Sequence, residues 1–319
     1  MMKLQPIDLP TGETRRPISE GLEPYLGRPI PCLDHGFVYP VDYLGNQESI
    51  VQAARVSYGA GTKKVNEDRG LVRYLMRHRH TTPFEMCELK LHCKMPIFVA
   101  RQWIRHRMAN VNEYSARYSI LANEFYIPAV EDLAAQSSSN RQGRGEVLGP
   151  ADAERIQDRI RDHSQEGYAL YELLLNDDGE GSPVREDDPQ VARELSRMVL
   201  STNGYTEWYW KVDLHNLLHF LGLRMDPHAQ YEIRIYAEAI CEIVEAWVPW
   251  VWEAFVDYEL EARRFTRLEL EVIKRAIELE GLHIPRNELR DLCTEVGLTN
   301  TREQDELGGA LERLGITSG

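Results

Sequence analysis

Three basic side chains follow one another at Arg105, His106 and Arg107, closing the segment PIFVARQWIRHR (96–107), and Arg101 precedes them by about one helical turn. On a helix, successive residues step around by about 100°, so these groups would fan over most of the circumference. Cations at a helix C-terminus also meet the negative end of the helix dipole, which favours them. Charge alone fits a solvated face. The next residues do not fit one: Asn110, Asn112, Glu113, Ser115 and Arg117 alternate with Val111, Tyr114 and Tyr118. Amide, hydroxyl and guanidinium groups recognise amides, hydroxyls and phosphates, a repertoire that a solvated face has no use for.

A second constellation lies in DLHNLLHFLGLRMDPH (213–228). Leu214, Leu217, Leu218 and Leu221 form an apolar stripe, while His215 and His219, at i and i+4, share another face. Such a pair can bind zinc. Here Asn216 stands where a zinc hydrolase carries its general-base Glu, and the third-ligand position of the extended motif is Met225. The reading is therefore hydrogen-bonding histidines, or histidines laid against a flat aromatic ligand, with no metal. Arg224 ends the apolar stretch, where it either caps a helix or projects into a pocket. Ser115 has no legible His–Asp relay and reads as a hydrogen-bonding group.

The 319 residues carry 37 Lys+Arg against 51 Asp+Glu, a formal net charge of −14. Nucleic-acid binders usually show the opposite balance, so that class is disfavoured. No run approaches the ~20 apolar residues that span a bilayer, and MMKLQPIDLPTGETRRPISE lacks the apolar centre of a signal peptide. Five cysteines, an odd number with no CxxC pair, read as free thiols in a reducing cytoplasm. Two of them lie in CELKLHCKM (87–95), whose alternation predicts a half-buried strand with the sulfurs inward. His92 would face the other way, which disfavours zinc between Cys87 and Cys93. No GxGxxG fingerprint points to a Rossmann-type site.

The elements that must hold these groups read as mostly helical. Residues 1 to about 30 form a polar, proline-punctuated arm. Helices are predicted over 48–57 (Ile50, Ala53, Ala54 and Ser57 on one face), over Asp68 to His80 (Leu71, Tyr74, Leu75 and His78 on one side), and over 96–107, opened by Pro96 with Ile97, Ala100 and Ile104 buried. Pro83, in HTTPFE (80–85), breaks the second of these before the strand at 87–95. AAQSSSNRQGRGEVLG (134–149) reads as a mobile loop, about 151–175 as an amphipathic helix, and NDDGEGSPVREDDP (176–189) as an acidic loop. Further helices are predicted at about 189–200, at about 206–223, and from Pro227, capped by Asp226, to just before Pro249. The last of these buries Ile233, Tyr236, Ala237, Ile240 and Val244. The tail 259–319 shows two helical patterns and a Gly308-Gly309 break, and strands are expected only in the first third.

Taken together, these segments resemble the flavin-dependent thymidylate synthase family. RHRMANVNEYS (105–115) fits its signature of Arg-His-Arg, seven residues, then Ser. AARVSYGAG (53–61), HTTPFE, PIFVARQWIRHR, NEYSARYS (112–119) and DLHNLLHFLGLRMDPHAQYEIRIYA (213–237) fit the surrounding text. The likeness covers roughly 36–127 and 190–258. It implies an α+β fold, a helix-rich single domain around a small, mostly antiparallel sheet; the helical insert and the C-terminal helical tail, which it does not clearly cover, are read from the residues. The corresponding domains are an arm at 1–30, a catalytic domain at 31–258 with its insert at 128–188, and an extension at 259–319.

The resemblance further implies reductive methylation of dUMP to dTMP. The carbon donor would be 5,10-methylenetetrahydrofolate, the hydride carrier FAD and the reductant NADPH. It implies a homotetramer with shared active sites, while the composition speaks against a nucleic-acid or membrane partner. All these ligands are anionic, so an acidic protein needs a local cationic well, which Arg101, Arg105, Arg107, Arg117, Arg197 and Arg224 would supply. By position in the motifs, dUMP falls to Gln102, Trp103, Ile104, Arg105, Ser115, Ala116 and Arg117, and to Arg197 in ELSRMVLS (194–201). FAD falls to Thr82, Arg105, His106, Arg107, Glu113, Asp213, Leu214, His215 and His219. Other members carry Asn at the place of Asp213, Arg at that of His215 and Asn at that of His219, and some carry Ser at that of Asn110. Arg224 takes the catalytic role at dUMP: a guanidinium at N3 and O4 of uracil pushes electron density toward C5 and stabilises the developing enolate. No cysteine lies near these motifs, in keeping with a route that forms no thiolate adduct.

Overall fold

The computed structural model describes residues 5–9, 11–13, 15–56, 65–138, 143–281 and 283–317. The chain divides into two compact units, Met1–Phe255 and Val256–Gly319.

The first unit opens with β1 (Ile30–Cys32) and β2 (Gly36–Leu44), followed by helices α1 (Gln47–Val56) and α2 (Val65–Arg77). Strand β3 (Glu88–Pro96) runs straight into α3 (Ile97–Trp103), and β4 (Asn110–Glu113) comes next. A small hairpin, β5 (Ala134–Gln136) and β6 (Arg144–Val147), precedes the long helix α4 (Pro150–Leu175) and the single turn α5 (Arg193–Ser196). The unit closes with β7 (Tyr205–Asp213), α6 (Leu214–Arg224), α7 (Tyr231–Trp247) and α8 (Pro249–Phe255). The main sheet has the order β1-β2-β3-β7-β4, and each of its pairings is antiparallel.

Period-two patterning builds this sheet. Leu89, Leu91, Cys93 and Met95 of β3 are fully buried, and Leu91 and Cys93 lie opposite Trp210 and Trp208 of β7. Val212 and Thr206 extend the same inward row. Helices α6 and α7 bring Leu214, Leu217, Leu218 and Leu221, and Ile233, Tyr236, Ala237, Ile240 and Val244, into the core, as their stripes predict. Tyr236 donates its hydroxyl to the Lys94 carbonyl at 2.7 Å. A Cβ on Gly36 would lie 2.0 Å from that hydroxyl oxygen, so only glycine lets α7 approach here. The opposite sheet face mixes aromatic rings with charged groups. There Tyr39 and Glu207 hold the two ring nitrogens of His92 at 2.6 and 3.1 Å, and Tyr209 stacks on the ring at 4.8 Å.

Several elements differ from the sequence expectations. Residues 206–223 are not one helix: the chain is a strand to Asp213 and a helix from Leu214, so the sheet is not confined to the first third. Pairing with β3 on one side and β4 on the other decides the conformation, and Asp213 caps α6 by accepting from the Asn216 amide at 3.0 Å. The segment 96–107 is helical only to Trp103; Pro96 is its N-cap, Val99, Ala100 and Trp103 are its buried stripe, and Ile104 is 45% exposed. The helix expected over Asp68 to His80 ends at Arg77 and buries Val72 and Leu75, and Arg79, at a positive φ of 59°, turns the chain away. In α1, Val51 replaces Ala53 in the buried face. Ser57 and the end of AARVSYGAG lie outside the described residues.

The stretch 134–149 contains the β5–β6 hairpin where a loop was expected, with 139–142 outside the described residues. The helix expected at 189–200 shrinks to α5 and a 3₁₀ turn, Arg197–Val199. Asp226 does not cap α7: it accepts from the His228 amide at 2.7 Å within a turn, and Gln230 is the N-cap. The N-terminal segment is tied down from Arg16, which pairs with Asp42 at 2.9 Å, and Leu22 is fully buried.

The second unit contains three α-helices among the described residues, α9 (Arg267–Glu280), α10 (Arg286–Glu295) and α11 (Thr301–Arg313), where the sequence showed two patterns. Gly308 and Gly309 lie inside α11 and break nothing. Among the described residues, no helix of the chain is long and apolar enough to cross a membrane.

Candidate active site

The segment just past α3 meets the outer face of α6 around a cavity of about 540 Å³. Arg105, His106, Arg107 and Met108 line it from one side, and Asn216, His219, Leu223 and Arg224 from α6. Trp210 and Val212 of β7 supply apolar wall. Arg105–Arg107 lie past the end of α3, so they do not fan around a helix as their sequence implied. They leave it through a turn at Ile104 and Arg105 into irregular backbone, and all three line one cavity.

His106 is fixed by an aromatic stack. Phe220 lies against Trp103 at 4.8 Å with nearly parallel rings, and His106 meets Phe220 edge-on at 4.9 Å. Arg224, the last residue of α6, donates from Nε to Nε2 of His106 at 3.0 Å. A guanidinium only donates, so Nε2 presents its lone pair and the proton of the neutral ring sits on Nδ1. Burial first, then the Arg224 cation and His219, hold His106 down at about 4. Burial also pushes Arg224 downward, but an arginine starts so high that it stays charged.

A second cationic group forms around Glu194 of α5. The Arg117 Nε lies 3.5 Å from a Glu194 carboxylate oxygen, and the Arg197 Nε donates to the Glu194 carbonyl at 3.4 Å. Ser115 shapes the turn that carries Arg117: its hydroxyl accepts from the Arg117 amide at 3.3 Å, and its carbonyl from the Tyr118 amide at 3.0 Å.

The remaining assigned residues scatter. Glu113 accepts from the Thr206 hydroxyl at 2.8 Å. Both Asp213 oxygens are engaged by Asn216, at 3.0 Å from its backbone and 2.7 Å from its side chain. The Leu214 amide donates to the Cys87 carbonyl at 2.8 Å, which joins the start of α6 to the 3₁₀ turn Phe84–Met86, just after the exposed Thr82. Of the two α6 histidines only His219 lines the cavity; His215 does not. Gln102 is half-buried, and its Oε1 is buried without a partner among the described residues. Trp103 and Leu214 are fully buried and Ala116 nearly so, which leaves their side chains little or no surface for a ligand. Asn216, Trp210 and Val212 are cavity residues that sequence reasoning did not assign. The 216–219–223 spacing on one helix face was the available signal for the first.

The fold and the cavity are those of an α+β enzyme scaffold with a cationic, partly aromatic pocket, and comparison with known proteins narrows the class. A family model described as "Thymidylate synthase complementing protein" matches residues 41–250. The flavin-dependent thymidylate synthase of Rickettsia conorii is 56% identical over 268 residues, covering 84% of this chain and 91% of that protein. That of Gluconobacter oxydans is 57% identical over 264 residues, covering 83% and 84%. Among solved structures, the UMP/dUMP methylase PolB of Streptomyces cacaoi bound with 5-Br UMP superposes with a TM-score of 0.62 at 30% identity, covering 72% of this chain and 98% of that one. The chain belongs to the flavin-dependent thymidylate synthase family. It is a methyltransferase that depends on a flavin.

Proposed function

We propose that this enzyme methylates dUMP reductively to dTMP, with FAD as its flavin, 5,10-methylenetetrahydrofolate as carbon donor and NADPH as reductant. One observation carries the reading: Arg224 is half-buried in a cation-lined cavity and, among the described residues, is anchored through its Nε alone. Its two terminal amino groups are then the donors available to a substrate. Against the N3–O4 edge of uracil they stabilise the anionic ring and the enolate that forms as C5 attacks. His106, neutral, accepts from Arg224 and so aims the guanidinium without adding charge beside it. The dUMP phosphate, a dianion, suits Ser115, Arg117 and Arg197, and Gln102 is assigned to dUMP by the family resemblance. Trp103, Ile104, Arg105 and Ala116 belong to the same proposed dUMP segments.

The cavity residues fit FAD. Arg105 and Arg107 would hold its phosphates, and Trp210, Val212 and His219 its ring. Thr82, His106, Glu113, Asp213, Leu214 and His215 complete the proposed set by the family resemblance. When bound, the flavin supplies hydride transfer, which no protein side chain provides. The same resemblance supports a homotetramer with shared sites and a catalytic domain at 31–258, beside the arm and the extension read from the residues, and the free thiols support a cytoplasmic location. The purified protein is expected to be yellow, and to release tritium from 5-tritiated dUMP when the folate donor and NADPH are present. A colourless protein that stays inactive after FAD is added would overturn this reading.

A further inference from the structure

Helix α4 and the acidic loop after it belong to an insert to which the resemblance assigns no role. They nevertheless reach the turn that carries Ser115 and Arg117. Tyr168, Tyr171 and Leu175 of α4 form a small buried cluster with Phe125, and Leu121 and Val199 pack on it. The Tyr168 hydroxyl donates to the Leu121 carbonyl at 2.8 Å, and the Tyr171 hydroxyl accepts from the Leu121 amide at 3.2 Å. One platform therefore supports both the chain just after Arg117 and the chain just after Arg197.

The loop adds a charged clamp. Asn176 ends α4 in the left-handed region at φ 43°, where a short amide side chain is tolerated. Its buried side chain fastens the returning loop by donating to the Arg185 and Asp188 carbonyls, both at 2.9 Å. Asp177 accepts from the Gly179 and Gly181 amides at 2.9 and 3.0 Å, and with its other oxygen from Arg193 at 2.6 Å. Arg193 in turn donates from Nη1 to the Tyr118 carbonyl at 2.6 Å. Its neighbour in α5 is Glu194, the residue around which Arg117 and Arg197 gather.

We propose that Arg193, held by Asp177, is a positioning residue for nucleotide binding: it pins the Tyr118 carbonyl and so sets the turn that presents Ser115 and Arg117 to the phosphate of dUMP. This rests on the reading of Ser115, Arg117 and Arg197 as the phosphate site. A guanidinium suits the task because one planar fork donates to a carboxylate and a carbonyl at once. Both residues act through the turn at the proposed phosphate site rather than at the reacting carbon, so the effect is expected on binding and not on the chemical step.

The test uses the full-length, flavin-loaded enzyme with Arg193→Ala and Asp177→Asn. Arg193→Ala should raise KM for dUMP, and the calorimetric Kd for dUMP, by about tenfold, a loss of ~1.4 kcal/mol. Its kcat, flavin absorbance per subunit and KM for NADPH should stay within about twofold of wild type. Asp177→Asn keeps an acceptor for the glycine amides and should shift KM the same way, less strongly. The double variant should be no worse than Arg193→Ala, because both act through one contact. An unchanged Kd for dUMP in Arg193→Ala would overturn the proposal. So would both variants losing kcat and flavin together with KM unmoved, which marks a fold defect. Wild-type enzyme that binds dUMP but neither holds flavin nor turns over would instead sink the functional reading, while the Kd comparison still decides the role of Arg193.

Discussion

Arg224 and His106 lie 118 positions apart in the chain and meet at 3.0 Å, the arginine donating from Nε to the imidazole Nε2. The contact uses the inner nitrogen of the guanidinium, so the outer fork points onward into the cavity. Lysine would keep the charge there and lose the fork. Arg224→Lys is therefore expected to lower kcat by about 100-fold, ~2.7 kcal/mol of transition-state stabilisation, while flavin absorbance is retained. Tritium release from 5-tritiated dUMP measures it, and turnover equal to wild type would remove Arg224 from the activating role.

The same contact makes a prediction about pH. His106 sits at about 4 in the native protein, against about 6.5 unfolded. Between those values the unfolded chain binds the extra proton and the native one does not. The contribution of His106 to stability is thus complete above about 6.5 and is lost as pH falls toward about 4. The imidazole resonance of His106 is expected to stay at its neutral position from pH 8 to about 5.5. Titration of that resonance near pH 6.5 in the folded enzyme would contradict the geometry.

Phe220 carries the stack from Trp103 to His106 and is fully buried. Phe220→Ala should cost about 3–5 kcal/mol, the usual range for emptying an aromatic core site. The half-exposed Leu223, one turn on in α6, should tolerate alanine with a loss below about 1 kcal/mol. Urea midpoints at constant m compare the two directly; equal midpoints would mean that the stack holds little.

Five cysteines are buried, with Cys87 and Cys241 pushed up to about 12 by burial and Cys32 and Cys93 raised by the same cause. None of these four offers a thiolate near neutrality. Native enzyme treated with iodoacetamide at pH 8 should keep its methyl-transfer activity, and thiol titration should count them only after denaturation. Rapid loss of activity on alkylation of the folded protein would put a sulfur back into the reaction.

Much of this architecture was legible in the residues, and the illegible parts have physical causes. The strand around Cys93 and the leucine stripe of α6 declared themselves because one period ran through each without interruption. Strand β7 did not: Tyr209 lies between Trp208 and Trp210 and packs its own ring on His92 across the sheet, so both faces look apolar. Asp213 hid the boundary because it is both the last residue of the strand and the cap of the helix. For the site, motif spacing picked out Arg105, His106, Arg107 and Arg224, which share the cavity. The His106–Arg224 contact itself was out of reach of spacing, because it depends on the chain leaving α3 at Trp103 and on the length of α6.

The join at Asp213 has a consequence for how such a chain tolerates insertions. No linker absorbs a length change between β7 and α6. One residue added or removed there would rotate everything downstream by about 100° and shift it by about 1.5 Å along the axis. The leucines would swing off the sheet, and the guanidinium at the far end of the helix would swing away from its imidazole. The spacing across this join behaves like the pitch of a screw, in which a single step misaligns every later thread.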